Sequence, residues 1–201
     1  MARTPKVKLK PADALIDAAF LLASREGWQN ITMEEIGLEA NLKLAGVLSE
    51  FPTKNKLLDA FSRKIDCAVL ARVTFDIGED TPRDRLFELI MCRFDVLTHY
   101  KKGLYAVFIG SCSDPISVYL SFNRMLTSSR LILEAAGINS VGCKGEITAR
   151  VLALIYANAL KVWLNDETPD LASTMVALDR GLMRAEYIMT LANIREKDKY
   201  L

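Results

Sequence analysis

One histidine and four cysteines are the residues of this chain best suited to nucleophilic or metal chemistry, and their spacing promotes neither. His99 stands in Leu97-Thr98-His99-Tyr100-Lys101, while Cys67, Cys92, Cys112 and Cys143 are scattered along the sequence. No two cysteines are close enough for a zinc knuckle or a CxxC redox pair. Cysteines spread in this way are usually reduced core residues. An imidazolium near the end of a helix interacts favourably with the helix dipole. A Cys–His or Ser–His pair assembled by the fold stays open, but nothing local supports one. Phosphate-binding Gly-rich loops, HExxH and GxSxG are absent from the sequence. The expectation is a non-enzymatic protein with no metal and no cofactor.

Two further sets of side chains are equipped to bind. Met91, Phe94, Tyr105, Phe108, Tyr119, Phe122, Met125, Ile155, Tyr156 and Trp163 offer large, adaptable apolar surface. Such residues either line a cavity with a few polar tips or simply fill a core. Arg3, Lys6, Lys8 and Lys10 form a basic N-terminal arm, suited to phosphate or left solvated. The chain as a whole carries 26 Lys+Arg against 25 Asp+Glu, a formal charge of +1, which by itself neither invites nor forbids nucleic acid. By segment it is uneven. Residues 3–10 hold four positive charges, and Lys54, Lys56, Arg63 and Lys64 outnumber Asp59 after Phe51. Between them, residues 32–51 have one lysine, Lys43, against Glu34, Glu35, Glu39 and Glu50.

Helices must position all of these groups. With 201 residues, 51% hydrophobic and 25% charged, the chain can bury a sizeable core and is not a disordered sequence. No apolar run approaches the ~20 residues of a membrane-spanning helix. The basic N-terminus lacks the apolar stretch of a secretory signal, so the cytoplasm is the expected location. Apolar spacing predicts a helix over 12–26, stopped at Gly27. Thr32 and Glu35 form a capping box for a short helix to about Ala40, and another short helix follows at 43–50. A longer helix begins near Lys54 with an apolar stripe from Leu57 to Val69. Thr81-Pro82 and Asp114-Pro115 read as helix starts, the second for a helix over 115–136. Helices over 144–165 and 170–190 complete the chain, the last opened by Thr168-Pro169-Asp170. Residues 76–84 read as an exposed turn. Nothing alternates at period two for the length of a strand, so the fold class is all-α.

Residues 13–61 resemble the DNA-binding region of the TetR regulator family. The resemblance is carried by Ile16, Ala18, Ala19, Gly27, Thr32-Met33, Ile36, Ala40, Leu44, Phe51-Pro52, Lys54, Leu57 and Leu58. It implies a recognition helix at 43–50, offering Lys43, Leu44 and Gly46 to the major groove. The basic arm and Lys54 would then meet phosphates. Four positions depart from the family pattern. Asn41 replaces a turn glycine, Lys43 a small capping hydroxyl residue, Leu48 a tyrosine and Glu50 a residue such as histidine. Two readings follow: a DNA reader, or a helix-turn-helix kept as a packing scaffold.

Residues 83–102 and 154–186 are similar to the ubiquinone-biosynthesis accessory family, the ninth Coq protein and its bacterial relatives. Ile155-Tyr156, Trp163-Leu164, Asp166 and Thr168-Pro169-Asp170 are the most specific elements. That resemblance implies a non-enzymatic protein binding an isoprenoid, quinone-type or lipid ligand and presenting it to a partner hydroxylase. Membrane contact would be peripheral at most, since the C-terminal residues 195–199 are charged. Together the resemblances imply a TetR-like fold of about nine helices. A helix-turn-helix domain at 1–51 would pack on a ligand-binding and dimerisation domain at 52–201. The strongly apolar helix 144–165, with helix 170–190, would form the interface of a homodimer.

Overall fold

The structure, a computed structural model, describes residues 10–72 and 80–197, the last nine of these as backbone only. Among the described residues it is all-α, with nine α-helices and one 3₁₀ turn. In chain order these are α1 (Pro11–Glu26), α2 (Met33–Glu39), α3 (Leu44–Glu50), α4 (Lys54–Leu70), α5 (Pro82–Leu97), α6 (Lys101–Cys112), α7 (Pro115–Ala135), α8 (Gly142–Asn165) and α9 (Ala172–Lys197). Arg3, Lys6 and Lys8 lie outside the described residues, as do residues 76–79 of the expected turn at 76–84.

Contacts divide the chain into two compact units that do not follow chain order. The first comprises residues 1–62 and 100–118, the second residues 63–99 and 119–201. This differs from the division expected at residue 51. The first turns of α4 and the whole of α6 join the N-terminal helices.

In the first unit α6 packs closely along α1. A Cβ added to Gly103 would stand 2.3 Å from the Phe20 carbonyl oxygen, so only glycine admits this approach. Phe20, Phe61 and Tyr100 cluster there, with Phe20 and Phe61 ring centroids 4.2 Å apart. The Tyr100 hydroxyl donates to Asp17 over 2.7 Å. His99 lies in the 3₁₀ turn (Thr98–Tyr100) that follows α5.

The second unit is organised by a buried ion pair. Arg93 of α5 donates through Nη1 to Asp66 near the end of α4, through Nη2 to Ser128 of α7 (3.2 Å) and through Nε to the Tyr156 hydroxyl of α8 (2.9 Å). Ser128 in turn donates to the other Asp66 oxygen over 3.0 Å. All four groups are buried. Phe94 stacks on Trp163, with centroids 5.4 Å apart, so ion pair and aromatic core share one place.

Capping largely follows the sequence signals. Thr32 accepts from the Glu35 amide, and the Glu35 carboxylate accepts from the Thr32 amide over 2.7 Å, completing the capping box. Thr81 caps α5 ahead of Pro82, and Asp114 accepts from the Ser117 amide at the start of α7. The start of α9 is different. It begins at Ala172, two residues beyond the expected opening, because buried Asp166 organises the corner from before Pro169. One Asp166 oxygen accepts from the Thr168 amide and hydroxyl, the other from the Thr174 amide and hydroxyl. Leu171 is held at φ 53°, in the left-handed region, to complete that turn.

Two other expectations are corrected. The cysteines are not core residues: Cys67, Cys112 and Cys143 are exposed and Cys92 is partly buried, all as free thiols. Helix α8, with mean hydropathy 1.4 over its most apolar window, is long and apolar enough by composition to cross a membrane. Its apolar character has a place inside the fold, where Leu152, Tyr156, Leu160 and Trp163 are buried.

Two stability outcomes follow. Asp66→Ala leaves a buried guanidinium without its counter-charge and is expected to cost about 3–5 kcal/mol in urea unfolding at neutral pH. The hydrogen bonds from Thr168, followed by those from Thr174, hold the Asp166 carboxyl below its ordinary range. A depressed folded pKa means a contribution that is complete above roughly pH 4 and is lost as pH falls below that value. Unfolding measured from pH 7 to pH 3 should show this loss, and Asp166→Asn should flatten that part of the profile.

Candidate nucleic-acid interface and ligand cavity

The helix-turn-helix is built on a few apolar anchors. Ile36 of α2 and Val47 of α3 are fully buried, and Phe51 closes α3 beneath them. The two helices meet at a glycine that the sequence signals did not single out. A Cβ on Gly37 would lie 2.6 Å from the Val47 methyl and 3.0 Å from the Leu42 carbonyl oxygen. Asn41 adopts φ 57° in the turn, as its short polar side chain allows. Lys43 precedes α3 without a capping side-chain hydrogen bond, a loss of about 1 kcal/mol against serine.

Helix α3 therefore holds on by Val47 and displays nearly everything else. Lys43, Leu44, Ala45, Gly46, Leu48, Ser49 and Glu50 are all exposed. Gly46 faces open space, and Leu44 and Leu48 are each more than two-fifths exposed. Glu34, Glu39 and Glu50 are exposed as well. Glu35 is held below the ordinary carboxylate range by the Thr32 hydrogen bonds and stays ionised.

Lys54 has an internal task. Its ammonium donates to the Trp28 carbonyl (2.8 Å) and the Ile31 carbonyl (2.9 Å) and stands 5.0 Å over the Trp28 ring. Partial burial lowers its pKa, opposed by the nearby Glu35 charge. The lysine expected to meet phosphate ties the α1–α2 turn to the start of α4. Lys10, the described member of the basic arm, is exposed just before α1.

The second unit contains a cavity of about 420 Å³ between α5, α7, α8 and α9. Its wall is mostly apolar, from Leu86, Leu133, Ile138, Leu152, Ile155 and Leu182. The polar groups on the wall are Arg83, Thr148 and Glu186. Of the ten residues read as candidate ligand contacts, Ile155 lines this cavity. Phe94, Tyr156 and Trp163 are buried around Arg93 as core. Met91, Phe122 and Met125 are partly buried elsewhere in the same unit. Tyr119 is mostly exposed, and Tyr105 and Phe108 belong to the first unit.

Arg83 and Arg85 fall within the 83–102 resemblance but outside the candidate site residues, although the sequence carries a signal for them. Both stand in the first turn of α5, where the helix dipole disfavours cations. Each has a partner that explains it. Arg85 is buried and donates to the Ala136 carbonyl (2.8 Å) at the end of α7 and to the Asp80 carbonyl. Arg83 pairs with Asp179 of α9.

Residues 15–61 match the family model described as bacterial regulatory proteins, tetR family. No curated protein matches the sequence. Among solved structures, the chain is similar to a TetR transcriptional regulator from Nitrosomonas europaea ATCC 19718. The TM-score is 0.70 at 21% identity, covering 88% of this chain and 98% of that one. A TetR regulator from Rhodococcus sp. RHA1 gives 0.61 at 19% identity, covering 86% and 93%. Thermus thermophilus FadR, a TetR family repressor solved with lauroyl-CoA, gives 0.55 at 18% identity, again covering 86% and 93%. The fold is TetR-like.

Gly37→Ala tests the helix-turn-helix geometry. Overpacking Val47 is expected to destabilise this unit by about 1–3 kcal/mol and to speed amide exchange in α3. Wild-type exchange in the variant would contradict the close approach.

Proposed function

We propose that this protein is a ligand-responsive transcriptional regulator that binds DNA as a homodimer. The observation that carries the reading is α3, held by one buried valine and exposed along the rest of its surface. It lies in a segment, residues 15–61, that matches the tetR family model. A helix so mounted fits the major groove. Its outward Leu44 and Leu48 can contact thymine methyl groups, while Lys43 and Ser49 offer hydrogen bonds. Because α2 and α3 are acidic on their exposed faces, phosphate neutralisation falls to the arm of Arg3, Lys6, Lys8 and Lys10.

Dimerisation is supported by apolar residues left outside the core of α8 and α9. Ile147 and Leu154 lie seven residues apart on α8, and Val176, Met183 and Tyr187 recur on α9, all about half exposed or more. A two-fold axis would pair these helices with their copies. The cavity supports an apolar ligand, and the FadR relative, solved with an acyl thioester, is a precedent for ligand binding on this fold. We place this activity in the cytoplasm.

The accessory reading, in which an isoprenoid or quinone precursor is held for a partner hydroxylase with at most peripheral membrane contact, is favoured by two observations that weigh against DNA. The exposed glutamates around α3 repel phosphate, and Lys54 is engaged internally.

A mobility-shift assay against a random DNA pool separates the two. The regulator should retard DNA at low salt and lose affinity steeply as salt rises. Replacing Arg3, Lys6 and Lys8 together by alanine should abolish the complex. Leu154→Glu with Tyr187→Glu should yield a monomer in sedimentation equilibrium and lose the shift. Absence of any complex at low salt would leave the accessory reading, testable by mass spectrometry of solvent extracts.

A further inference from the structure

We infer that the cavity between α5, α7, α8 and α9 is a binding site for a single-chain amphiphile with one carboxylate, its head received by Arg83. The inference rests on the ligand-binding part of the proposal above and not on DNA binding.

The body of the ligand follows from the wall. A volume of about 420 Å³ is within the range of small-molecule sites, and its lining is largely aliphatic. Among the described residues no aromatic side chain lines it, so the described wall does not favour stacking of a planar ring. Leucine, isoleucine and valine side chains match a flexible hydrocarbon chain.

The head follows from Arg83. Its guanidinium is one-third exposed and, among the described residues, uses a single N–H group, donating from Nη2 to Asp179. A guanidinium carries five donors in a planar fork, so most of the fork remains available at the wall. A carboxylate is the acceptor that matches this geometry in a bidentate manner. Arg83 also stands in the first turn of the 16-residue helix α5, whose dipole adds positive potential there.

The charge of the head is limited by its neighbours. Asp179 already shares Arg83, and Glu186 lies exposed on the same wall. A second or third negative charge on the ligand would face Asp179, and among the described lining residues Arg83 is the one arginine. The site therefore takes a monocarboxylate and rejects a polyphosphate-bearing thioester. Asp179 lies on α9 between Val176 and Met183, so a carboxylate sharing Arg83 acts directly on the helix that carries those exposed residues.

Isothermal titration of the full chain tests this with octanoate, dodecanoate, dodecanol, dodecylamine and lauroyl-CoA. Dodecanoate should bind saturably at one per chain, and more tightly than octanoate. Dodecanol, dodecylamine and lauroyl-CoA should each be at least about ten-fold weaker. Arg83→Gln should weaken dodecanoate about ten-fold and leave dodecanol unchanged. Leu152→Trp, which fills the cavity, should remove binding of both, with helix content checked by circular dichroism. Dodecanol, dodecylamine or lauroyl-CoA equalling dodecanoate, or indifference to Arg83→Gln, overturns the head-group assignment and leaves the cavity as a site. If none of the probes binds, the cavity is not a ligand site. The mobility-shift result stands apart from both outcomes.

Discussion

Burying the Arg93–Asp66 pair constrains the second unit more than any other interaction. Removing two charges from water is favourable only when partners and geometry are nearly complete. Here each side of the guanidinium finds an acceptor, and Ser128 both accepts from Arg93 and donates to Asp66. The end of α4 and the helices α5, α7 and α8 therefore meet in one register. Apolar packing alone is tolerant of small slips; a buried ion pair is not. Phe94, next in sequence, carries that register into the aromatic stack with Trp163.

The first unit relies on a different device. Gly103 lets α6 press on α1, and Gly37 lets α2 press on α3. Close approach at these glycines adds to the Phe20–Phe61–Tyr100 cluster in a unit whose helices α2 and α3 are only seven residues each. Lys54 adds an electrostatic brace by satisfying two carbonyls of the α1–α2 turn.

The contrast explains what was readable in the sequence. Helix starts were legible where a side chain caps locally, as at Thr32, Thr81 and Asp114. Helix α6 was not, because glycines at 103 and 110 lower its intrinsic propensity, and what they approach (the Phe20 backbone and the Trp28 and Gln29 side chains) is distant in sequence. The opening of α9 was misplaced because Asp166 acts across eight residues to reach Thr174. Large aromatic residues drew attention as ligand contacts, yet Phe94, Tyr156 and Trp163 serve the buried pair. The cavity wall is made of ordinary leucines and isoleucines, which periodicity cannot tell from core. Arg83 was the exception, a cation at the wrong end of a helix.

Mounting α3 on Val47 alone separates two demands that usually compete in one element. Stability is concentrated in an inward-facing residue, while the outward positions around it bear almost no packing load. Substitutions at 44, 45, 46, 48 and 49 that keep the helix can change what the surface recognises with little effect on folding. The element is open to divergence, and a leucine at position 48, where the TetR pattern has tyrosine, is what such freedom permits.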